Sequence, residues 1–339
     1  MRVSVVKDLL HKLDTMNRPI EDVFMDYIND SGTLPISEAA EGVGFPQWPV
    51  DFGLEWWEER DYLSLNLLGL DGPVIGLESG CVSDVVAIDS SVVRVAESRA
   101  GPIVGLRAAV VHRSKGVSVK VIGPFLRLIR PVSLQSVGHE IREELRYFER
   151  LVQLWALSNI QGVIYLFDGT LMAGFDRSGQ LLQSILDMAE RAGGTILAFS
   201  KESLLARGGI ESQPKDDGLV PPYVHDLTEA AMYMWSGLRC VGGVFLTRLA
   251  PSLYPFRVDA YPRDRGLDAL SSLLSSDALI HGYPETLILA HAHATFSWMD
   301  VVAMRGALLG HSNPAMSNIL SPRLTVLTPF ETRSHENPS

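Results

Sequence analysis

Between residues 84 and 200 apolar residues fall into short continuous runs separated by longer amphipathic stretches, the pattern of buried strands alternating with helices. Residues 84–89 (DVVAID) predict a short buried strand that ends on Asp89. Residues 102–112 (PIVGLRAAVVH) and 117–123 (VSVKVIG) predict two more strands, and the short Arg113-Ser114-Lys115-Gly116 turn between them predicts a hairpin. Residues 133–158 predict a long helix with Ser133 as its N-cap and Leu145, Phe148, Val152 and Trp155 on its apolar side. A second buried strand, residues 162–168 (GVIYLFD), ends on Asp168. A helix over about 178–192 and a strand over 195–200 follow, and this β-α-β alternation favours parallel pairing. A strand pair at 241–249 and 254–260, then a helix over roughly 284–308, complete an α/β fold.

The flanks read differently. Residues 3–30 space Val6, Leu9, Leu10, Leu13 and Met16 as one helix face. Residues 31–82 are broken by Pro and Gly around a Trp56-Trp57 pair. The expected division is therefore an N-terminal helical and irregular extension at 1–80, a domain at 81–310 and a C-terminal segment at 311–339, disordered after Pro329. The polar, Pro- and Gly-rich stretch 207–226 predicts a long loop. No internal repeat is present.

Composition narrows the function. Of the residues, 46% are hydrophobic and 20% charged, which suits a globular chain with a large core. No run of 18 apolar residues points to a membrane span, and the N-terminus lacks the apolar stretch of a secretory signal. Cys81 and Cys240 make no metal-ligand pair and read as reduced, packed thiols, so a soluble cytoplasmic protein is expected. The formal charge of −11 argues against nonspecific nucleic-acid binding over the whole surface. It leaves room for a local basic channel. Residues 94–150 are rich in Arg and Lys, and Arg94, Arg99, Arg107, Arg113, Lys115 and Lys120 are its candidate lining, or else ordinary sheet-edge charges.

The P-loop, the dinucleotide glycine motif, the G-x-S-x-G elbow and H-E-x-x-H are all absent. Carboxylates at strand ends remain. An apolar strand stopping on an Asp places the carboxylate at the sheet's rim, where open α/β sheets bind ligands. Asp89 and Asp168 on neighbouring strands would suit Mg²⁺ or Mn²⁺, which take oxygen ligands; Asp-Ser-Ser and Asp-Gly-Thr are also turn and cap signals. The intervening helix offers Glu140, Glu143, Glu144 and Glu149, of which Glu149 lies beside the apolar stripe. In the segment 282–293 (GYPETLILAHAH), residues two apart on a helix differ by roughly 200° in direction, so only one of His291 and His293 faces a given site. That His reads equally as a packed core or boundary residue.

The order strand–Asp, hairpin, helix–Glu, strand–Asp, helix, strand, helix–His is that of a ribonuclease H-like mixed sheet core flanked by helices. At AIDSS (87–91), YLFDGTL (165–171), ILAFSKES (196–203) and GYPETLILAH (282–291) the chain resembles the NurA family of DNA-end-processing nucleases, over roughly residues 80–310. The resemblance implies metal-binding roles for Asp89, Asp168 and a helix glutamate, Glu149 or Glu144. It also implies an active-site role for His291 and a phosphate-facing Lys201. Two positions depart from the family pattern. Ser90 stands where a glycine is usual, and Phe245 stands near where the family's tyrosine is expected, with Tyr233 or Tyr254 as substitutes.

The implied chemistry is hydrolysis of DNA with Mn²⁺ or Mg²⁺, as a 5′-to-3′ exonuclease with single-strand endonuclease activity, in end resection and double-strand break repair. The implied partners are a second copy in a homodimer and a HerA-type hexameric DNA translocase. Two other readings stay open: a catalytically impaired NurA-like scaffold that binds the translocase, and a metal-dependent phosphohydrolase acting on RNA or small phosphate esters.

Overall fold

The computed structural model describes residues 72–98, 101–130, 136–173, 177–201, 220–234, 239–252 and 255–311. The predicted 3–30 helix, the Trp pair, Arg99, Ser133, Tyr254, most of the 207–226 stretch and the tail after 329 lie outside the described residues.

The chain runs β1 (Val74–Gly76), β2 (Val85–Ser98), β3 (Gly101–Arg113), β4 (Val117–Leu128), α1 (Val137–Asn159), β5 (Ile164–Asp168), β6 (Met172–Ala173), α2 (Arg177–Ala192), β7 (Thr195–Ser200), β8 (Tyr223–Asp226), α3 (Thr228–Met234), β9 (Arg239–Cys240), β10 (Gly243–Arg248), β11 (Phe256–Tyr261), α4 (Gly266–Ser276), β12 (Leu279–Ile280), β13 (Tyr283–Pro284), α5 (Glu285–Ala294) and α6 (Trp298–His311). Nine strands form one sheet in the order β1-β8-β10-β11-β7-β5-β2-β3-β4. The β2–β5 and β5–β7 pairs are parallel and the rest antiparallel. The fold is therefore a large mixed sheet flanked by helices, as the alternation predicted. It begins before the expected boundary at residue 81, because β1 pairs with β8.

Both faces of the central strands are buried, which explains their unbroken apolar runs. Val86, Ile88, Tyr165, Phe167, Ile196 and Ala198 pack under α1 and α2. Val85, Ala87, Ile164, Leu166, Leu197 and Phe199 pack on the opposite face, under α4 and α5. Beyond the central strands, α6 covers Val95, Ala96 and Ile103 on the far half of the β2–β3 ribbon.

Four expectations are corrected. The strand begun at residue 85 does not stop at Asp89 but continues to Ser98, since β3 pairs with it along that whole length. The final helix is two helices, interrupted at residues 295–297. Residues 223–226 of the expected loop form β8. Cys81 is a free, exposed thiol rather than a packed one. The apolar stretch Glu285–Leu308 has the length and composition of a membrane span. Its break leaves helices of 10 and 14 residues, each short of the roughly 20 that a bilayer requires, and each lays part of its surface on the sheet.

Candidate functional site

The parallel register pairs Ile88 with Phe167, so the next residues along, Asp89 and Asp168, stand at one level on neighbouring strands. Strand β5 stops there while β2 runs on. Asp89 is thus internal to its own strand and yet at the rim of its neighbour. Strand alternation points both carboxylates to the α4–α5 face, the side of Val85, Ala87, Ile164 and Leu166.

Helix α5 brings His291 to the same place. One ligand atom from each of Asp89, Asp168 and His291 lies within 4.8 Å of the other two, the single such grouping among the described residues. His291 Nδ1 is 2.7 Å from Asp89 Oδ2. That hydrogen bond, with the nearby carboxylate charges, raises the imidazole's pKa against the opposing effect of burial. His293 is exposed and outside the group, as helical geometry required.

Asp168 is held from two sides. Lys201 Nζ lies 2.7 Å from Oδ2, and the Tyr283 hydroxyl donates to Oδ1 at 3.1 Å. Burial raises the Asp168 carboxyl's pKa, and Lys201 acts against the rise. Tyr283 was not singled out from the sequence. Its ring packs edge-on against Phe199, with centroids 5.8 Å apart, and tilted against Phe256 at 5.3 Å, which aims the hydroxyl at Asp168. The signal was present in the Gly282-Tyr283-Pro284 motif just before the histidine helix. There the two-residue β12–β13 turn has positive φ at both His281 (53°) and Gly282 (86°), the geometry of a type I′ hairpin. Phe245, at the position expected for the family tyrosine, is instead a core residue under α4 and α5.

Glu149 approaches from the other face of the sheet. Ser90, next to Asp89 but pointing oppositely, donates its hydroxyl to Glu149 Oε2 at 2.7 Å, and Gln153 donates to Oε1 at 2.8 Å. Gln153 in turn accepts from Arg150 at 2.8 Å. Burial pushes the Glu149 carboxyl up to about 7, with Arg150 opposing and Asp89 and Asp168 adding to the rise. Glu144 is committed elsewhere, to Arg127 at 2.7 and 3.0 Å, and Glu143 pairs with Arg146. Of the helix glutamates considered, the structure thus brings Glu149 beside the cluster and keeps Glu144 away. Serine at position 90 needs no glycine-like freedom in an extended strand, and its hydroxyl is in use.

The basic candidates largely have structural work. Arg107 pairs with Asp300 at 2.6 Å and lies over the Phe296 ring, tying β3 to α6. Arg113 contacts Glu285 at 2.5 Å, Asp277 at 3.1 Å and Thr286 at 3.0 Å. Asp277, whose side chain is fully buried, accepts the Thr286 N–H at 3.1 Å and so fixes the first turn of α5, the helix that carries His291. Lys120 lies over Trp155 at 5.0 Å. Arg107 and Arg113 therefore hold the hairpin to α5 and α6.

Fold and site together define a mixed α/β protein with an acidic, histidine-bearing centre at the rim of its parallel strands. No family model and no curated protein sequence matches the chain. Among solved structures, it is similar to the NurA nuclease from Sulfolobus solfataricus at 17% identity, covering 71% of this chain and 87% of that one, with a TM-score of 0.49. A NurA structure with manganese is similar at 10% identity, covering 74% and 94%, TM-score 0.41. Endonuclease V from Ciona intestinalis in complex with a 24mer DNA is similar at 12% identity, covering 64% and 90%, TM-score 0.37. At such identities no residue role passes from those proteins to this one.

Proposed function

We propose that this protein is a divalent-metal-dependent nuclease whose centre is Asp89, Asp168 and His291, with Glu149, Lys201 and Tyr283 around it. The convergence of two carboxylates and an imidazole at the rim of the parallel strands, with a lysine on one carboxylate, carries the proposal. The donor set fits a hard divalent cation. Asp89 and Asp168 present oxygen ligands at one level, and Glu149 stands near them on the other face of the sheet, held by Ser90 and Gln153. When bound, Mn²⁺ or Mg²⁺ supplies Lewis-acid activation of a phosphate and a lowered water pKa.

The chain's own residues do the rest. With its Nδ1 proton directed at Asp89, His291 is fixed in orientation and presents Nε2, 3.5 Å from the Thr295 hydroxyl, as the atom that takes or gives a proton. The Lys201 ammonium supplies positive charge against the phosphate oxygens. Tyr283 fixes the Asp168 carboxylate by donating to Oδ1. Because Ser90 and Tyr283 serve the site, the two departures from the family pattern give no reason to favour an inactive scaffold.

The finer reading rests on the four motifs that resemble the NurA family. It comprises a DNA substrate, 5′-to-3′ exonuclease and single-strand endonuclease action in end resection and break repair, a homodimer, a HerA-type translocase partner and a cytoplasmic location. End-labelled single- and double-stranded DNA incubated with the protein in Mn²⁺, Mg²⁺ or EDTA tests it. Cleavage should require metal and disappear in Asp89→Asn and Asp168→Asn. Cleavage that survives EDTA or either substitution would overturn the proposal.

A further inference from the structure

Behind the candidate centre lies a charge pair that the proposed chemistry does not use. Arg257 and Asp259, two residues apart on β11, are 0% and 1% exposed at their side chains. The guanidinium holds the carboxylate by two bonds, Nε to Oδ1 at 2.7 Å and the terminal nitrogen to Oδ2 at 2.9 Å. Burying two ions carries a large desolvation cost, and replacing such a pair with apolar residues of similar volume is often neutral or stabilising. Stability alone therefore does not explain the pair.

Its third contact is informative. Asp259 Oδ2 accepts the backbone N–H of Leu171 at 2.9 Å. Leu171 ends the sharp turn that leaves β5 directly after Asp168, where Gly169 takes a φ of 100°. Two further contacts act on the same turn. The Gly169 N–H donates to Phe199 on β7 at 2.8 Å, and Arg150 on α1 reaches the Thr170 carbonyl at 3.4 Å. Asp259 pairs across with Ala198, and Ala198 with Phe167, so it sits two strands over at the level of the residue preceding Asp168. It points to the face of the sheet opposite Asp89 and Asp168.

We infer that Asp259, its charge balanced by Arg257, is a positioning residue. It holds the 169–171 turn by its far end and thereby sets the direction of Asp168. The inference rests on the proposed metal centre for its consequence, but its structural core, the anchoring of the Leu171 amide, stands apart from metal.

Two double variants isolate the acceptor. Arg257→Met with Asp259→Asn removes both charges and keeps a carbonyl oxygen for Leu171, whereas Arg257→Met with Asp259→Leu removes the acceptor as well. Hydrogen exchange over residues 168–172, Mn²⁺ affinity by calorimetry and thermal stability are measured on both, beside wild type and Asp168→Asn. The Asn variant should match wild type in exchange and in Mn²⁺ affinity. At a similar melting temperature, the Leu variant should exchange its 169–171 amides at least tenfold faster and bind Mn²⁺ about 10–100-fold more weakly, the usual scale for losing an outer support of a ligand. Identical exchange in the two variants would overturn the inference. Should the Leu variant not fold, wild type decides it: slow exchange at Leu171 upholds the anchor, and fast exchange overturns it. If wild type binds no Mn²⁺, the metal reading fails, while the exchange comparison still decides the anchor.

Discussion

His291 Nδ1 and Asp89 Oδ2 meet at 2.7 Å across 202 residues of sequence. The contact depends on the β12–β13 turn and on the buried Asp277, which together set where α5 begins and therefore which helix face looks down on β2. Held this way, the imidazole is oriented by a carboxylate that also belongs to the proposed metal set. Substituting His291 with Ala should lower kcat by about 10²–10⁴-fold, the range of general acid–base catalysis, with little change in KM. Steady-state cleavage kinetics in Mn²⁺ check it, and an unchanged kcat would exclude the histidine from proton transfer.

Tyr283→Phe keeps the ring contacts to Phe199 and Phe256 and removes the donor to Asp168. The fold should be unaffected, while metal affinity or activity should drop about 10–100-fold. Calorimetric Mn²⁺ titration beside a thermal melt separates the two effects.

Glu149 carries a cost when no metal is present. Its folded pKa, about 7, lies above the ordinary 4.5, so the wild type is penalised above pH 7, progressively less between pH 7 and 4.5, and not below 4.5. Glu149→Gln removes that penalty, on the order of 3 kcal/mol at pH 8. Metal-free Gln variant should therefore melt several degrees higher than wild type at pH 8 and equally at pH 4, while losing metal-dependent cleavage. Equal melting temperatures at pH 8 would mean that the carboxylate is well compensated.

The Arg107–Asp300 pair should shape acid stability. Arg107 hydrogen bonds hold the Asp300 carboxyl well below the ordinary carboxylate range. A depressed carboxyl pKa contributes stability above about pH 4 that is lost as the pH falls through the folded value. Arg107→Ala should therefore flatten the loss of melting temperature between pH 5 and pH 3. Parallel wild-type and variant curves would show that the pair is energetically idle.

At Gly282 the nearest atom to an added Cβ would be 3.6 Å away, so space is not the constraint; its φ of 86° is. Gly282→Ala should cost about 1–2 kcal/mol, the left-handed penalty for an L-residue. Because the turn aims Tyr283, activity should fall more than that loss of stability explains. Denaturant unfolding and kinetics on one preparation make the comparison.

Much of this protein is written in local pattern. The apolar runs of β2, β5 and β7, the 113–116 hairpin turn and the Leu145-Phe148-Val152 stripe of α1 depend on side-chain periodicity, which a strand or helix expresses wherever it sits. They were enough to place Asp89, Asp168 and Glu149 on neighbouring elements and to separate His291 from His293. Tertiary structure decided what depends on pairing and depth. Asp89 reaches a rim because β5 stops beside it, not because β2 ends. Glu149 rather than Glu144 adjoins the centre because Arg127 claims the latter, and a hairpin turn far along the chain delivers Tyr283 to Asp168. The Arg257–Asp259 pair reads from sequence as ordinary alternation in a strand, F-R-V-D-A-Y, and only burial shows that both charges lie inside. Periodicity is a property of neighbours in the chain, whereas register, partner choice and desolvation are set by residues far apart in sequence, and the chemistry of the site rests on those.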